Sequence, residues 1–122
     1  MRKIVAVMLM LIILAGCGAK NGYISISAEK AKEMMDKEEN YIILDVRNQD
    51  EYDEKHIPGA ILIPNTEIED RAEDELPDKN QLILVYCRSG NRSKKASQIL
   101  ADMGYTNIKE FGGINDWPYE TE

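Results

Sequence analysis

Two apolar runs constrain the fold more than anything else in the chain. Leu82 to Tyr86 (LILVY) is continuous, and Tyr41 to Val46 (YIILDV) carries Asp45 near its end. Runs of this kind fit strands of a parallel sheet, which helices cover on both faces. Ala60-Ile61-Leu62-Ile63 is a third candidate strand, Asn107-Ile108-Lys109 a shorter fourth, and Tyr23-Ile24-Ser25-Ile26 a short one near the start. Helical stretches lie between them. In Ser93 to Met103, the residues Ala96, Ile99, Leu100 and Met103 follow the i, i+3, i+4, i+7 pattern, and Gly104 is placed to end the helix as a C′ glycine. Ser27 has the chemistry of an N-cap, with Glu29 in the first turn and Ala31, Met34 and Met35 on one helical face. That helix ends in the polar stretch Asp36 to Asn40, Asn48 to Lys55 predicts another, and Thr66 to Ala72 a weaker one. Alternating strands and helices predict a single α/β domain, with a central mainly parallel sheet flanked by helices.

The first residues tell a separate story. Met1-Arg2-Lys3 is followed by an apolar run from Ile4 to Leu14. A bilayer-spanning helix takes roughly 20 apolar residues, so this run is too short, and its length is that of a signal-peptide core. Leu14-Ala15-Gly16-Cys17 resembles the lipobox of bacterial lipoproteins. The resemblance implies a signal peptide over 1–16, removed before Cys17, and a diacylglycerol on the Cys17 sulfur. It also implies a short tether over 17–22, a folded domain over 23–122, and an extracytoplasmic, membrane-anchored protein. An ordinary secretory signal with a cysteine at this place is the plainer alternative.

Charge and cysteine usage narrow the function. Asp and Glu number 22 against 15 Lys and Arg, a net charge of −7. Phosphate backbones need a basic patch, so nucleic acid is not an expected partner. An acidic body is not drawn to anionic headgroups either, which leaves membrane attachment to the lipid. The chain has two cysteines, Cys17 and Cys87. With Cys17 acylated, Cys87 has no disulfide partner, and a lone thiol in an exported protein is either reactive or a stray core residue.

Cys87-Arg88-Ser89-Gly90-Asn91-Arg92-Ser93 joins the LILVY strand to the clearest helix. Ligands of open α/β sheets bind beyond the carboxyl ends of the strands, and Cys87 is at such an end. Gly90 relaxes the loop, which runs into a helix N-terminus where backbone N–H groups lack helical partners. Those groups, the helix dipole, Arg88 and Arg92 all favour an anion at the loop centre and lower the pKa of Cys87. A thiolate in an anion cradle suits attack on a sulfane sulfur, or on phosphorus or arsenic in an oxyanion. Physical chemistry alone leaves that choice open.

Four segments, in order, resemble the rhodanese family of sulfurtransferase modules across Tyr23 to Trp117. They are Leu44-Asp45-Val46-Arg47 with Glu51, then His56-Ile57-Pro58-Gly59-Ala60, then Cys87 to Ser93, then Gly112-Gly113 with Trp117. The resemblance implies the rhodanese-like three-layer fold. From Cys87 to Arg92 the loop is Cys-x4-Arg, six residues counting both ends. Rhodanese sulfurtransferases have this short loop, whereas the related cell-cycle phosphatases have one residue more, so the resemblance implies sulfur transfer. Cys87 would take a sulfane sulfur from a small anionic donor such as thiosulfate and pass it to cyanide, a thiol or a protein acceptor. Backbone N–H groups from Arg88 through Ser89, Gly90, Asn91 and Arg92 would hold the persulfide, with Arg88 and Arg92 on the donor's sulfonate oxygens and Arg92 bracing the loop.

Several other residues carry plainer expectations. Asp45 and Arg47 are expected to support the site without doing chemistry. His56 is the only histidine; paired with a cysteine it would suit a protease, but in the resembled segment its role is mainly structural. Lys94 and Lys95 are expected to be solvated helix residues, with a secondary role in raising the potential for an anionic donor on an acidic protein. One histidine and one available cysteine are too few soft ligands for a zinc site, and nothing asks for a cofactor. A persulfide relay serving a partner protein is a second reading and arsenate reduction a third, which the short loop and the lack of a resolving cysteine disfavour.

Overall fold

A computed structural model describes residues 22–122 of the chain. The signal-peptide and lipobox expectations, Cys17 included, lie outside the described residues. Among those residues no helix is long and apolar enough to cross a membrane.

Five strands form one sheet in the order β1-β5-β4-β2-β3. They are β1 (Ile24–Ser25), β2 (Tyr41–Asp45), β3 (Ile61–Leu62), β4 (Leu82–Cys87) and β5 (Ile108–Gly113). Every pairing is parallel, so the sheet is wholly and not just mainly parallel. The LILVY run forms the central strand, buried at every position of Leu82–Cys87.

Residue alternation on β4 divides the core into two halves. Ile83, Val85 and Cys87 face one side, with Leu44, Ile68, Ala72, Ala96 and Leu100. Helices α3 (Ile68–Glu75) and α4 (Asn91–Asp102) cover that side. Leu82, Leu84 and Tyr86 face the other, with Ala31, Ile43, Phe111 and Trp117. There α1 (Ala28–Lys37) brings Ala31, Met34 and Met35, and α2 (Gln49–Glu54) brings Tyr52. This is the three-layer arrangement expected from the sequence.

Local chemistry explains where the elements begin and end. The Ser27 hydroxyl accepts from the Lys30 N–H at 3.1 Å and caps α1. The Asn48 N–H donates to the Glu51 carboxylate at 3.0 Å, one half of a capping box that starts α2. Gly104 has φ +100°, and the N–H groups of Gly104 and Tyr105 close back on Ala101 and Leu100 to end α4. Two boundaries differ most from the sequence reading. Thr66 to Ala72 resolves into a 3-10 turn (Asn65–Glu67) followed by α3, which runs on to Glu75. The strand expected at Asn107 to Lys109 runs from Ile108 to Gly113, because it pairs with β4 from Ile83 to Cys87.

Candidate active site

The site forms where β4 ends, at the C-terminal edge of the sheet. Cys87 is the last residue of β4 and is only 1% exposed. It pairs with Gly113 across a register shift between Val85 and Cys87. The loop then turns through exposed Arg88 and Ser89 to buried Gly90, which caps α4. Gly90 sits at φ +110°, a backbone state costly for any side-chain-bearing residue, which explains glycine here. In that conformation its N–H points back at the Cys87 sulfur at 3.0 Å. The Ser93 hydroxyl lies 3.4 Å from the same sulfur.

These contacts decide the state of the sulfur. Burial pushes the Cys87 thiol up. Hydrogen bonds from the Ser93 hydroxyl and from the backbone N–H groups of Ser93, Gly90 and Ser89 outweigh burial and hold it below the ordinary thiol range. A buried cysteine is inert unless such donors surround it, and here they do.

Arg92 is placed by Glu51. Its two terminal nitrogens donate to the two carboxylate oxygens of Glu51 at 2.7 and 3.0 Å. That bond holds the Glu51 carboxyl down at about 2 and keeps the pair charged. The bracing part of the expected Arg92 role is therefore visible, with α2 as the anchor. That pair uses two of the five N–H donors a guanidinium carries, and Arg88 is exposed on the loop rim with Ser89 and Asn91. Lys94 is also near the loop: a Cβ at Gly90 would lie 3.5 Å from its Nζ. Lys95 is exposed on α4.

Beneath the loop, β5 sets the floor. A Cβ on Gly113 would overlap the Arg88 carbonyl and the Ser89 nitrogen, so only glycine lets β5 pass this close. The Asn115 N–H donates to the Arg88 carbonyl at 3.2 Å and ties the loop down.

Asp45 and Arg47 form a buried pair one strand away. The Arg47 guanidinium donates to both Asp45 oxygens, with the shortest contact at 2.7 Å. It also donates to the Lys55 carbonyl at 2.7 Å. Tyr86 donates its hydroxyl proton to Asp45 at 2.7 Å and accepts from the Ile57 N–H at 3.1 Å. The pair thus fixes Tyr86, the residue before Cys87, and the segment after α2, and its hydrogen bonds stop short of the loop. His56 stacks on Tyr52 with ring centroids 3.8 Å apart and exchanges backbone bonds with Glu122. Its contacts are those of a structural tie.

Two residues of the site were not singled out as functional by sequence reasoning. Glu51 entered only as part of a matching segment, and its partner Arg92 is 41 positions away. Glu110 is 1% exposed and accepts from Ser93, from Ser25 and from the Gly112 N–H. Its signal was a charged residue in phase with the inward-facing Ile108, just before Gly112-Gly113.

A buried, donor-surrounded cysteine on a short loop of an all-parallel sheet restricts the choice of family, and a family model decides it. The model for the Rhodanese-like domain matches residues 27–119. The chain belongs to the rhodanese-like family. Among curated relatives of this rhodanese-like chain is thiosulfate sulfurtransferase PspE of Escherichia coli, 42% identical over 73 residues, 60% of this chain and 70% of that protein. The putative sulfur carrier protein YrkF of Bacillus subtilis is 41% identical over 98 residues, 80% of this chain but only 52% of that protein. A solved rhodanese with anions from E. coli superposes with a TM-score of 0.64 at 38% identity, covering 67% of this chain and 96% of that one.

Proposed function

We propose that this rhodanese-like chain is a sulfurtransferase that moves a sulfane sulfur from thiosulfate, or a similar small anionic donor, through a persulfide on Cys87. The observation that carries it is the Cys87 sulfur, facing the Gly90 N–H at 3.0 Å inside a six-residue loop at a helix start. The Cys87 thiolate attacks the outer sulfur of thiosulfate. A bond forms between the two sulfurs, the donor's S–S bond breaks, and sulfite leaves with the electron pair. The new terminal sulfur carries the negative charge, and the loop N–H groups are placed to hold it. Arg88, charged and exposed at the rim, is suited to the donor's sulfonate oxygens. A thiophilic acceptor then takes the outer sulfur and returns Cys87 as thiolate. The test is turnover of thiosulfate and cyanide to sulfite and thiocyanate by the full chain. Cys87→Ser is expected to abolish it; turnover in that variant would remove Cys87 from the mechanism.

The likeness to a putative sulfur carrier favours a second use of the same persulfide, delivery to a protein thiol. A slow cyanide reaction beside fast transfer to a protein thiol would assign the relay role.

Attachment to a bacterial membrane through a lipid on Cys17 is part of the proposal, supported by the lipobox-like Leu14-Ala15-Gly16-Cys17. Cys17→Ser is expected to move the chain from the membrane fraction to the soluble one. Membrane association equal to that of the native chain would contradict the anchor.

A further inference from the structure

The cations of this acidic chain are distributed unevenly. Lys30, Lys32, Arg71 and Lys79 each hold a carboxylate, at 2.6 to 2.9 Å. Arg92, within the Cys87 loop, is likewise held by Glu51 at 2.7 Å. Three other cations around that loop differ. Arg88 and Lys95 are exposed and hold no carboxylate among the described residues. Lys94, with its side chain 54% exposed, comes no closer than 4.0 Å to one, the buried Glu110. Asp116 follows Asn115, whose N–H meets the Arg88 carbonyl, yet Asp116 makes no ion pair with Arg88.

Helix geometry joins these charges into one surface. α4 begins at Asn91, and residues three and four further on lie beside it on the helix. Asn91, Lys94 and Lys95 are all exposed and so form a continuous strip. The strip starts at the sulfur, since the Gly90 N–H, one residue before Asn91, faces Cys87 Sγ at 3.0 Å. Lys94 stays at the loop, with its Nζ 3.5 Å from where a Gly90 Cβ would lie. Lys95 leaves the helix about 6 Å further along the axis than Asn91. A small anion at the loop centre meets the backbone N–H groups and Arg88. Charge spread from the loop along α4 matches a larger anionic surface. On a chain of net charge −7, this exposed positive strip beside the reacting atom opposes the field of the rest of the molecule.

We propose that Arg88, Lys94 and Lys95 form the docking surface for an acidic protein that presents the acceptor thiol to Cys87. The inference rests on the relay reading and adds the chemistry of the partner, carboxylates around the receiving cysteine. Docking sets the acceptor thiol above the loop. Its sulfur bonds to the outer sulfur of the Cys87 persulfide, and the S–S bond to Cys87 breaks. The acceptor departs as a persulfide that keeps its proton, and Cys87 returns as thiolate. Lys94 and Lys95 touch the partner and not the reacting atoms, so they select the partner and speed its encounter.

The test is thiol exchange in the full chain carrying Cys17→Ser, which leaves Cys87 as its one thiol. Short peptides each carry a single cysteine as a mixed disulfide with 2-thiopyridine, flanked by glutamates, by glutamines or by lysines. Cys87 attacks the peptide sulfur and displaces pyridine-2-thiolate, whose absorbance gives the rate. Each rate is divided by that of mercaptoethanol with the same peptide, which removes intrinsic differences between peptides. The glutamate peptide is expected to react about tenfold faster than the lysine peptide at low salt. The preference should vanish at about 1 M salt, where charges are screened beyond about 3 Å. Lys95→Glu is expected to lower the glutamate-peptide rate severalfold and to leave the glutamine-peptide rate within about twofold. Equal rates, a faster lysine peptide (as net charge alone would give), or a preference untouched by Lys95→Glu would each overturn the proposal. So would a folded chain that reacts with none of the peptides. The exchange needs no sulfur donor, so this outcome is independent of whether Cys87 takes up sulfur.

Discussion

Glu51 on α2 holds both terminal nitrogens of Arg92, the last residue of the Cys-x4-Arg loop, at 2.7 and 3.0 Å. The pair is partly buried, with 21% and 29% of the side chains exposed. It joins the loop to a helix on the opposite layer of the fold. The loop's shape therefore depends on a residue far from it in sequence.

Acid should dissolve that link. The Arg92 hydrogen bond lowers the Glu51 carboxyl from 4.5 to about 2, so the bond adds stability that is complete above the unfolded value of 4.5 and lost as pH falls through about 2. Glu51→Gln is expected to cost about 1.5–3 kcal/mol at pH 7, the range for hydrogen bonds to charged groups. The gap should close as pH falls from about 4.5 to 2. Denaturant melts of both chains across this range measure it. A gap that stays constant would contradict the assignment.

Gly113 and Gly112 should separate geometry from backbone freedom. Gly113 has φ −135°, which any residue adopts, but its Cβ would meet the Arg88 carbonyl. Gly112 has φ +86° with open space around it. Gly113→Ala is expected to displace the loop and lower sulfur transfer by at least about tenfold, the scale expected when reacting groups are misplaced. Gly112→Ala should cost about 1–2 kcal/mol of stability and keep most activity. Equal activity in the two variants would show that the close approach of β5 does not shape the loop.

The Asp45–Arg47 pair is a stability feature of the domain. Both side chains are nearly inaccessible, at 0% and 4% exposed. Asp45→Ala strands a buried guanidinium and is expected to destabilise by about 3–5 kcal/mol. The fraction that folds should still take sulfur onto Cys87, since no hydrogen bond of Asp45 reaches Arg88 to Ser93. A loss below about 1 kcal/mol, or a folded variant unable to take sulfur, would contradict this division of roles.

How much of this was legible in the sequence follows from what each feature depends on. The apolar runs at Tyr41 and Leu82 showed the parallel sheet because burial on both faces leaves a compositional mark. The α4 periodicity and Gly104 showed the helix and its end for the same reason. Cys87 and Gly90 were legible because their roles are local to one loop. The extent of β5 was not, since it is set by pairing with β4 and not by the short Ile108 stretch. The Glu51–Arg92 and Ser93–Glu110 contacts join residues on separate elements, and single-sequence patterns carry no signal for side chains meeting across layers. Asp45 was expected to be a supporting residue that does no chemistry; it bonds Arg47 and also Tyr86, which adjacent parallel strands place opposite it.

The central claim is that Cys87 carries sulfur, and intact mass tests it most directly. The full chain is incubated with thiosulfate beside Cys87→Ser. The account predicts a gain of one sulfur atom that cyanide removes and that Cys87→Ser never shows. No gain with thiosulfate or with other sulfane donors, in a chain that is folded, would contradict sulfur transfer while leaving the rhodanese-like fold in place.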